Sequence, residues 1–296
     1  MKYILTIDLG GTTFNSCLVD KDLNIVNISS KDKIRHYSSQ SDLLFAIKKQ
    51  IECLLSDSKI LFDDVVGLSI AAPGPLDVNR NKILDTPNLK LLSNFDIVDY
   101  FHKKYNMDVA LENDANLFVL GEWYNNFKNK NIVLGITLGT GFGTGLILNG
   151  DVFIGSNGMG LEYGQSPFSW GHCEKNISIE FLREESVKVF GENMSPRIIE
   201  KMALDGNSKA QLIYDQFGKN LGIALSHLIN VIDPQVIVFG GGLSNAFFCY
   251  KKELINTLNN HSYSFKMNEI LISNSKDKEK STFLGAGYNF LNKYKI

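Results

Sequence analysis

Three stretches set glycine directly after a strand-like apolar run: Gly10-Gly11-Thr12-Thr13, Gly139-Thr140-Gly141-Phe142-Gly143 and Gly240-Gly241-Gly242-Leu243-Ser244. Glycine lets the main chain come close to an anion and aim successive N–H groups at it, and threonine hydroxyls add donors. None of the three fits G-x-x-x-x-G-K-[ST] or G-x-G-x-x-G, so a P-loop and a Rossmann dinucleotide site are poorly supported. A tight turn without ligand accounts for any one of them. Three together, two carrying threonine, point to a nucleotide held between two domains.

Carboxylates stand beside these turns. Asp8 ends the first strand, next to the first glycine turn. A carboxylate beside phosphate-binding amides repels the ligand unless a cation lies between them. Asp8 therefore reads as a direct or water-mediated partner of Mg²⁺, which prefers oxygen ligands and keeps several waters; a strand-end turn residue is the alternative. The densest polar cluster is Glu112-Asn113-Asp114-Ala115-Asn116, after a strand ending at Leu111 and before a helix with Leu117, Leu120 and Trp123. Capping of that helix is one reading. The other puts Asp114 at a strand-to-helix junction, the usual place for ligand groups in α/β proteins. There it can accept the proton of a substrate hydroxyl attacking a γ-phosphate, a step that needs position more than basicity because phosphoryl transfer is largely dissociative.

The surrounding pattern must position these groups. Tyr3 to Ile7 and Phe14 to Val19 read as strands, and Leu43, Leu44, Ile47, Ile51, Leu54 and Leu55 recur at helical spacing behind Ser39 and Ser41. Val65 to Ala72 is a continuous apolar strand of the doubly buried kind. A helix over Ile97 to Tyr105, a strand over Val109 to Leu111 and a helix from Ala115 follow. Ile132 to Leu138 and Gly145 to Leu148 are strands, Ala210 to Ile232 is a long helix ended by Asp233-Pro234, and Val236 to Phe239 is a buried strand. A helix near Tyr250 to Asn259, a strand at Ile270 to Ile272 and a helix near Phe283 to Asn292 close the chain, with Ser273 to Lys280 the most linker-like stretch. Ile7-Asp8-Leu9-Gly10 and Ile136-Thr137-Leu138-Gly139 share an I-x-L-G frame, each between a strand and a second strand returning from it. This reads as an internal repeat at domain scale or as coincidence of two hairpins. Alternating strands and helices make the class α/β.

Composition narrows the partners. The 296 residues suit two domains or one large one, and 44% hydrophobic with 21% charged residues is ordinary for a soluble chain with a sizeable core. Thirty basic against 32 acidic side chains argue against general nucleic-acid binding, which relies on surplus lysine and arginine. No run approaches the roughly 18 apolar residues of a membrane helix, and the opening segment meets Asp8 too soon for a secretory signal. Cys17, Cys53, Cys173 and Cys249 are scattered without a C-x-x-C pair, as in a reducing cytosol. A cytoplasmic protein is expected.

Nearly the whole chain resembles the ROK family (repressors, open reading frames and sugar kinases). The anchors are Asp8-Leu9-Gly10-Gly11-Thr12, Ala72-Pro73-Gly74-Pro75, Thr86-Pro87-Asn88-Leu89, Glu112 to Asn116, Leu138 to Gly143, Asn157-Gly158, Glu162-Tyr163-Gly164, Gly240-Gly241-Gly242 and Gly285-Ala286-Gly287. The resemblance implies an α/β fold of two ribonuclease-H-like (actin/hexokinase-like) domains around a central cleft. It sets an N-terminal domain over 1–117, a terminal helix near 282–296 packing back on it, and a larger C-terminal domain over 118–281. It implies ATP-dependent phosphorylation of a hexose or N-acylhexosamine at the 6-hydroxyl, for example N-acetylmannosamine or glucose, with allose or fructose as alternatives. Asp114 becomes the general base. Gly74, Asn88, Asn113, Asp114, Glu162 and Gln165 would bind the sugar. Asp8, Gly10, Gly11, Thr12, Thr13, Thr140, Gly141, Gly241 and Gly242 would hold ATP, with Asp8 on Mg²⁺. Thr13 stands where many relatives have lysine or another residue. A homodimer binding sugar and ATP, with no nucleic acid and no membrane, is expected.

One segment departs from the family. Relatives carry G-E-x-G-H followed by C-x-C-G-x-x-G-C, and that histidine and three cysteines bind structural zinc. Here Gln165 takes the histidine position and Cys173 is the one cysteine left, beside His172. Structural zinc needs about four N or S ligands, so no zinc is expected and a local core should hold the segment; His172 and Cys173 with remote partners are the alternative. Gln165 can still hydrogen-bond a sugar hydroxyl. His227 reads as a core or edge residue, His36, His102 and His261 as surface residues, Trp123 and Trp170 as packing, and Lys128 to Lys130 as a solvated turn. A family transcription regulator is disfavoured because its first strand would follow a helix-turn-helix, whereas here Tyr3 already begins one. A non-catalytic sugar-binding or sugar-sensing protein is the remaining alternative.

Overall fold

The computed structural model describes residues 2–86, 89–169, 171–267 and 269–295. In chain order the strands and α-helices are β1 (Tyr3–Leu9), β2 (Thr13–Asp20), β3 (Ile25–Ile28), β4 (Asp32–Lys33), α1 (Gln40–Ser58), β5 (Val65–Ala72), β6 (Lys82–Ile83), β7 (Phe95–Asp96), α2 (Ile97–Tyr105), β8 (Asp108–Asn113) and α3 (Asp114–Glu122). Then come β9 (Ile132–Leu138), β10 (Phe142–Leu148), β11 (Asp151–Val152), α4 (Cys173–Asn176), α5 (Ile179–Phe190), α6 (Pro196–Leu204), α7 (Ser208–Ile232), β12 (Val236–Gly240), α8 (Phe247–His261), α9 (Tyr263–Lys266), β13 (Leu271–Asn274) and α10 (Lys278–Tyr294).

The chain divides into two compact units, one of Met1–Lys128, Gly150–Leu161 and Asp277–Ile296, the other of Asn129–Asn149 and Glu162–Lys276. The division thus falls after Lys128 rather than at residue 117, because α3 packs along α10 and stays with the first unit. The 150–161 segment also belongs there, tied to the loop after β5 through Arg80 and Gly158.

In the first unit the sheet runs β3-β2-β1-β5-β8. β1 and β2 are antiparallel, whereas β1, β5 and β8 are parallel. Side chains alternate between faces. Leu5, Ile7 and Leu9 of β1, with Val109 and Leu111 of β8, pack under α1 and α2. Ile4 and Ala110 meet Phe290 of α10 on the other side. α10 crosses α3 at two glycines. A Cβ on Gly285 would lie 1.9 Å from the Leu117 carbonyl oxygen, and one on Gly121 would lie 1.8 Å from that of Ser281. The two backbones touch there.

The second unit repeats the wiring. β9 pairs antiparallel with β10 on one side and parallel with β12 on the other, and β12 pairs parallel with β13. Gly10 and Gly139 occupy equivalent places, each following the central strand and donating its N–H across the turn, to Thr13 O at 2.9 Å and Gly141 O at 3.0 Å. The shared I-x-L-G frame marks two copies of one strand–turn–strand device. Long α7, capped by Asn207, buries Ile213, Phe217, Leu221, Leu225 and Ile229.

Candidate active site

The parallel register of the first sheet gathers residues far apart in sequence. Asp8 on β1 is level with Ala71 on β5, and Ala71 with Glu112 on β8; Ala72 is level with Asn113. Two strand steps separate Asp8 from Glu112, about 10 Å. Parallel strands end together, so the Gly10–Thr12 turn, the Pro73-Gly74 loop and the β8–α3 junction open along one edge. Gly11 and Thr12 are exposed, and their N–H groups donate to nothing among the described residues. Gly74 is half-buried and joined to Pro75 by a cis peptide. Thr13 is the first residue of β2, opposite Lys33 of β4. Asn88 and Pro87 lie outside the described residues.

The β8–α3 junction is built by its own side chains. Asn113 is the N-cap of α3, its Oδ1 accepting the N–H of Ala115 at 2.9 Å and of Asn116 at 3.2 Å. Its Nδ2 donates to nothing among the described residues and remains able to donate. Asp114 opens α3, where the helix macrodipole favours an anion, and its Oδ1 accepts the Ala115 N–H at 2.8 Å. Asn113 thus caps α3, and Asp114 follows it as the first residue of the helix. Below them the buried Glu112 pairs with the buried Arg80, Nε to Oε2 at 3.0 Å. Sequence reading did not single out Arg80; one arginine in a polar turn carries no local signal of a partner beyond its neighbours.

Asp8 is half-buried, and desolvation pushes its carboxyl up to about 6, with Lys31 opposing the rise and Glu279 adding to it. Lys31 and Glu279 are themselves paired at 3.3 Å. Among the described residues no group of three His, Cys, Asp or Glu side chains could hold a metal. A lone desolvated carboxylate still fits Mg²⁺, which commonly takes one or two carboxylates and completes its shell with water and phosphate oxygens.

The second unit carries the other glycine turns. Gly240 is level with Thr137, so the turns after β9 and β12 are neighbours, and Gly241, at φ +76°, lies against the Leu138 backbone. The carboxylate of Glu174 accepts the Phe142 N–H at 3.1 Å. With Gly139 bonded across the turn, the N–H groups of Thr140 and Gly141 are the two at this turn without a partner among the described residues. Glu162 precedes a 3-10 turn over Tyr163–Gln165, and Gln165 is exposed.

The family model for ROK proteins matches residues 4–292. The chain belongs to the ROK family. The glucokinase of Thermotoga maritima is 27% identical over 270 residues, covering 82% of this chain and 83% of its own. The N-acetyl-D-glucosamine kinase of Photobacterium profundum is 31% identical over 218 residues, 67% of this chain and 71% of its own. The structure of a ROK family glucokinase from Streptomyces griseus, in complex with glucose and AMPPNP, aligns with a TM-score of 0.79 at 21% identity, covering 97% of this chain and 98% of that one. The fold is the α/β pair of actin/hexokinase-like domains found in ROK sugar kinases.

The segment expected from the resemblance to depart from the family pattern, around Gln165 and Cys173, is packed in this ROK protein. Phe168, Cys173 and Ile177 are buried, Asn176 Nδ2 donates to the carbonyls of Phe168 and His172, and Asn220 Nδ2 donates to Asn176 O. Burial pushes the Cys173 thiol up to about 11. His227 is exposed, and its Nδ1 lies 3.0 Å from Tyr163 Oη. Trp123 packs on Tyr288, Lys128 lies over the Tyr124 ring, and His36, His102 and His261 are exposed. Trp170 lies outside the described residues.

Proposed function

We propose that this ROK protein is an ATP:sugar phosphotransferase moving the γ-phosphoryl group of ATP to the 6-hydroxyl of a hexose or N-acylhexosamine, such as glucose or N-acetylmannosamine. The observation that carries the reading is the shared edge of the first sheet, with Asp8 and the Asn113–Asp114 pair two strands apart and free amides of Gly11 and Thr12 beside Asp8. Asp114 accepts the proton of the attacking hydroxyl as the new O–P bond forms. Asn113 offers its Nδ2 to a neighbouring hydroxyl, and Gly74, Asn88, Glu162 and Gln165 pair others, because each desolvated hydroxyl must keep a partner. Gly10 to Thr13 and Thr140-Gly141 present amides and hydroxyls to the phosphates, with Gly241-Gly242 on the adenosine side. Mg²⁺, when bound, neutralises phosphate charge, and Asp8 holds it directly or through water. The glucokinase and N-acetylglucosamine kinase relatives support this substrate class.

The same reading expects a cytoplasmic homodimer without nucleic-acid or membrane partners; among the described residues no helix is long and apolar enough to cross a membrane. A coupled ADP-release screen across glucose, N-acetylglucosamine, N-acetylmannosamine, allose and fructose tests it. Asp114→Asn is expected to lower kcat by about 10²–10⁴-fold with sugar binding retained, the range for a lost general base. Undiminished turnover in that variant would remove Asp114 from the role. Sugar binding by the native chain without ADP release from any of the five would favour the non-catalytic alternative.

A further inference from the structure

Arg80 is 8% exposed and stands at φ +56°, a left-handed backbone uncommon for a long side chain. Its guanidinium joins three segments of the first unit. Nε donates to Glu112 Oε2 at 3.0 Å, and Nη1 donates to Gly158 O at 2.8 Å and Asp77 O at 3.2 Å. Gly158 stands at φ +77°, and a Cβ there would lie 2.9 Å from both Arg80 Nη1 and Val78 Cα. Glu112 passes the constraint on. Its Oε1 accepts the Asn113 N–H at 2.8 Å and Asn116 Nδ2 at 2.9 Å, so it holds the residue just before Asp114 and the one two positions after it.

A buried ion pair is poor value as a stabiliser, since well-packed apolar residues of similar volume often do as well. What it supplies here is direction. A planar guanidinium fixes one carboxylate oxygen, and the other oxygen then faces two N–H donors of the β8–α3 junction. We infer that Arg80 is a positioning residue: through Glu112 it fixes the first turn of α3, and with it the placement of Asp114 against the sugar hydroxyl. This rests on the reading of Asp114 as the base. Loss of Arg80 leaves Glu112 Oε2 without its guanidinium donor and only the Oε1 bonds to fix the carboxylate, so the junction loses its anchor to the rest of the unit.

A cavity of about 370 Å³, lined in part by Arg80, Glu112, Leu111 and Lys293, reaches the pair. Small ions therefore have a route to Glu112 once the arginine side chain is gone. Arg80→Ala is expected to lower kcat about 100-fold, the scale of an ångström-sized misplacement of a reacting group, with a smaller change in sugar KM. Millimolar guanidinium, far below the molar range that unfolds proteins, is expected to restore most of the loss; equal sodium chloride or urea is not. A role in folding alone would not respond in this way. Wild-type kcat in Arg80→Ala, or a loss that guanidinium leaves untouched, overturns the inference. Should that variant fail to fold, Arg80→Gln, which keeps bulk but removes both the charge and the planar fork on Glu112, takes its place, and a kcat equal to wild type then overturns the inference. Asp114→Asn run alongside separates the two readings: its activity is lost and guanidinium does not restore it, whereas full turnover there sinks the base assignment itself.

Discussion

Asp8 keeps its charge against its surroundings. Burial raises its carboxyl from an unfolded value near 3.8 to about 6. Between those values the folded chain holds the proton more tightly than the unfolded one, so stability falls as pH rises through the window. Above pH 6 the full penalty is present, at most about 3 kcal/mol. Asp8→Asn is therefore expected to raise the unfolding free energy at pH 8 by ~1–3 kcal/mol, with the gain vanishing below pH 4 and activity lost throughout. Urea titrations at the two pH values measure this; equal stability of the two chains at pH 8 would show that the carboxylate is not penalised. A stability cost of this kind is expected where function needs the charge, as the proposed role of Asp8 does. At this scale Asp8 and Asp114 drew attention in the sequence because Asp8 lies near a strand end beside a glycine turn and Asp114 sits at a strand-to-helix junction. Arg80 was not, because its partner Glu112 lies on another strand and no local period connects them.

At the scale of elements, the crossing of α3 and α10 decides where Asp114 stands, since α3 begins with it. The Gly285-Ala286-Gly287 run was visible as a family anchor, but its reason is tertiary: Gly285 and Gly121 let two backbones meet. Gly285→Ala forces its Cβ onto the Leu117 carbonyl and is expected to cost about 1–3 kcal/mol, the usual penalty of overpacking. Urea unfolding would report this as a lowered midpoint, and an unchanged midpoint would mean that the helices do not cross so closely. Other elements escaped the sequence reading for local reasons. Ser273 to Lys280 looks like a linker by charge, yet β13 runs to Asn274 and α10 starts at Lys278, the Asp277 side chain capping it through the Lys280 N–H. A polar first helical turn resembles a loop. α5 and α6 were likewise unread: each is short, and α6 opens on Pro196, which marks a helix start only when the helix is already suspected.

For the whole molecule, the segment around Cys173 is held by burial and amide hydrogen bonds. The melting temperature is therefore expected to be unchanged by EDTA, and purified protein to carry no stoichiometric zinc by elemental analysis. A melting temperature that drops with chelator, or one zinc per chain, would restore a metal to Cys173 and His172. The sequence by itself determined the α/β class, the glycine turns, and a carboxylate beside the first of them and at the strand-to-helix junction, because apolar period and turn residues are local properties that any short window contains. It also carried the repeat, since both central strands end in the same frame. Only the tertiary structure decided that β5 lies between β1 and β8, that Asp8 and Asp114 consequently share an edge, and that Arg80 finds Glu112. Strand order and register arise from burying faces against distant helices, and no window of sequence holds both sides of that contact.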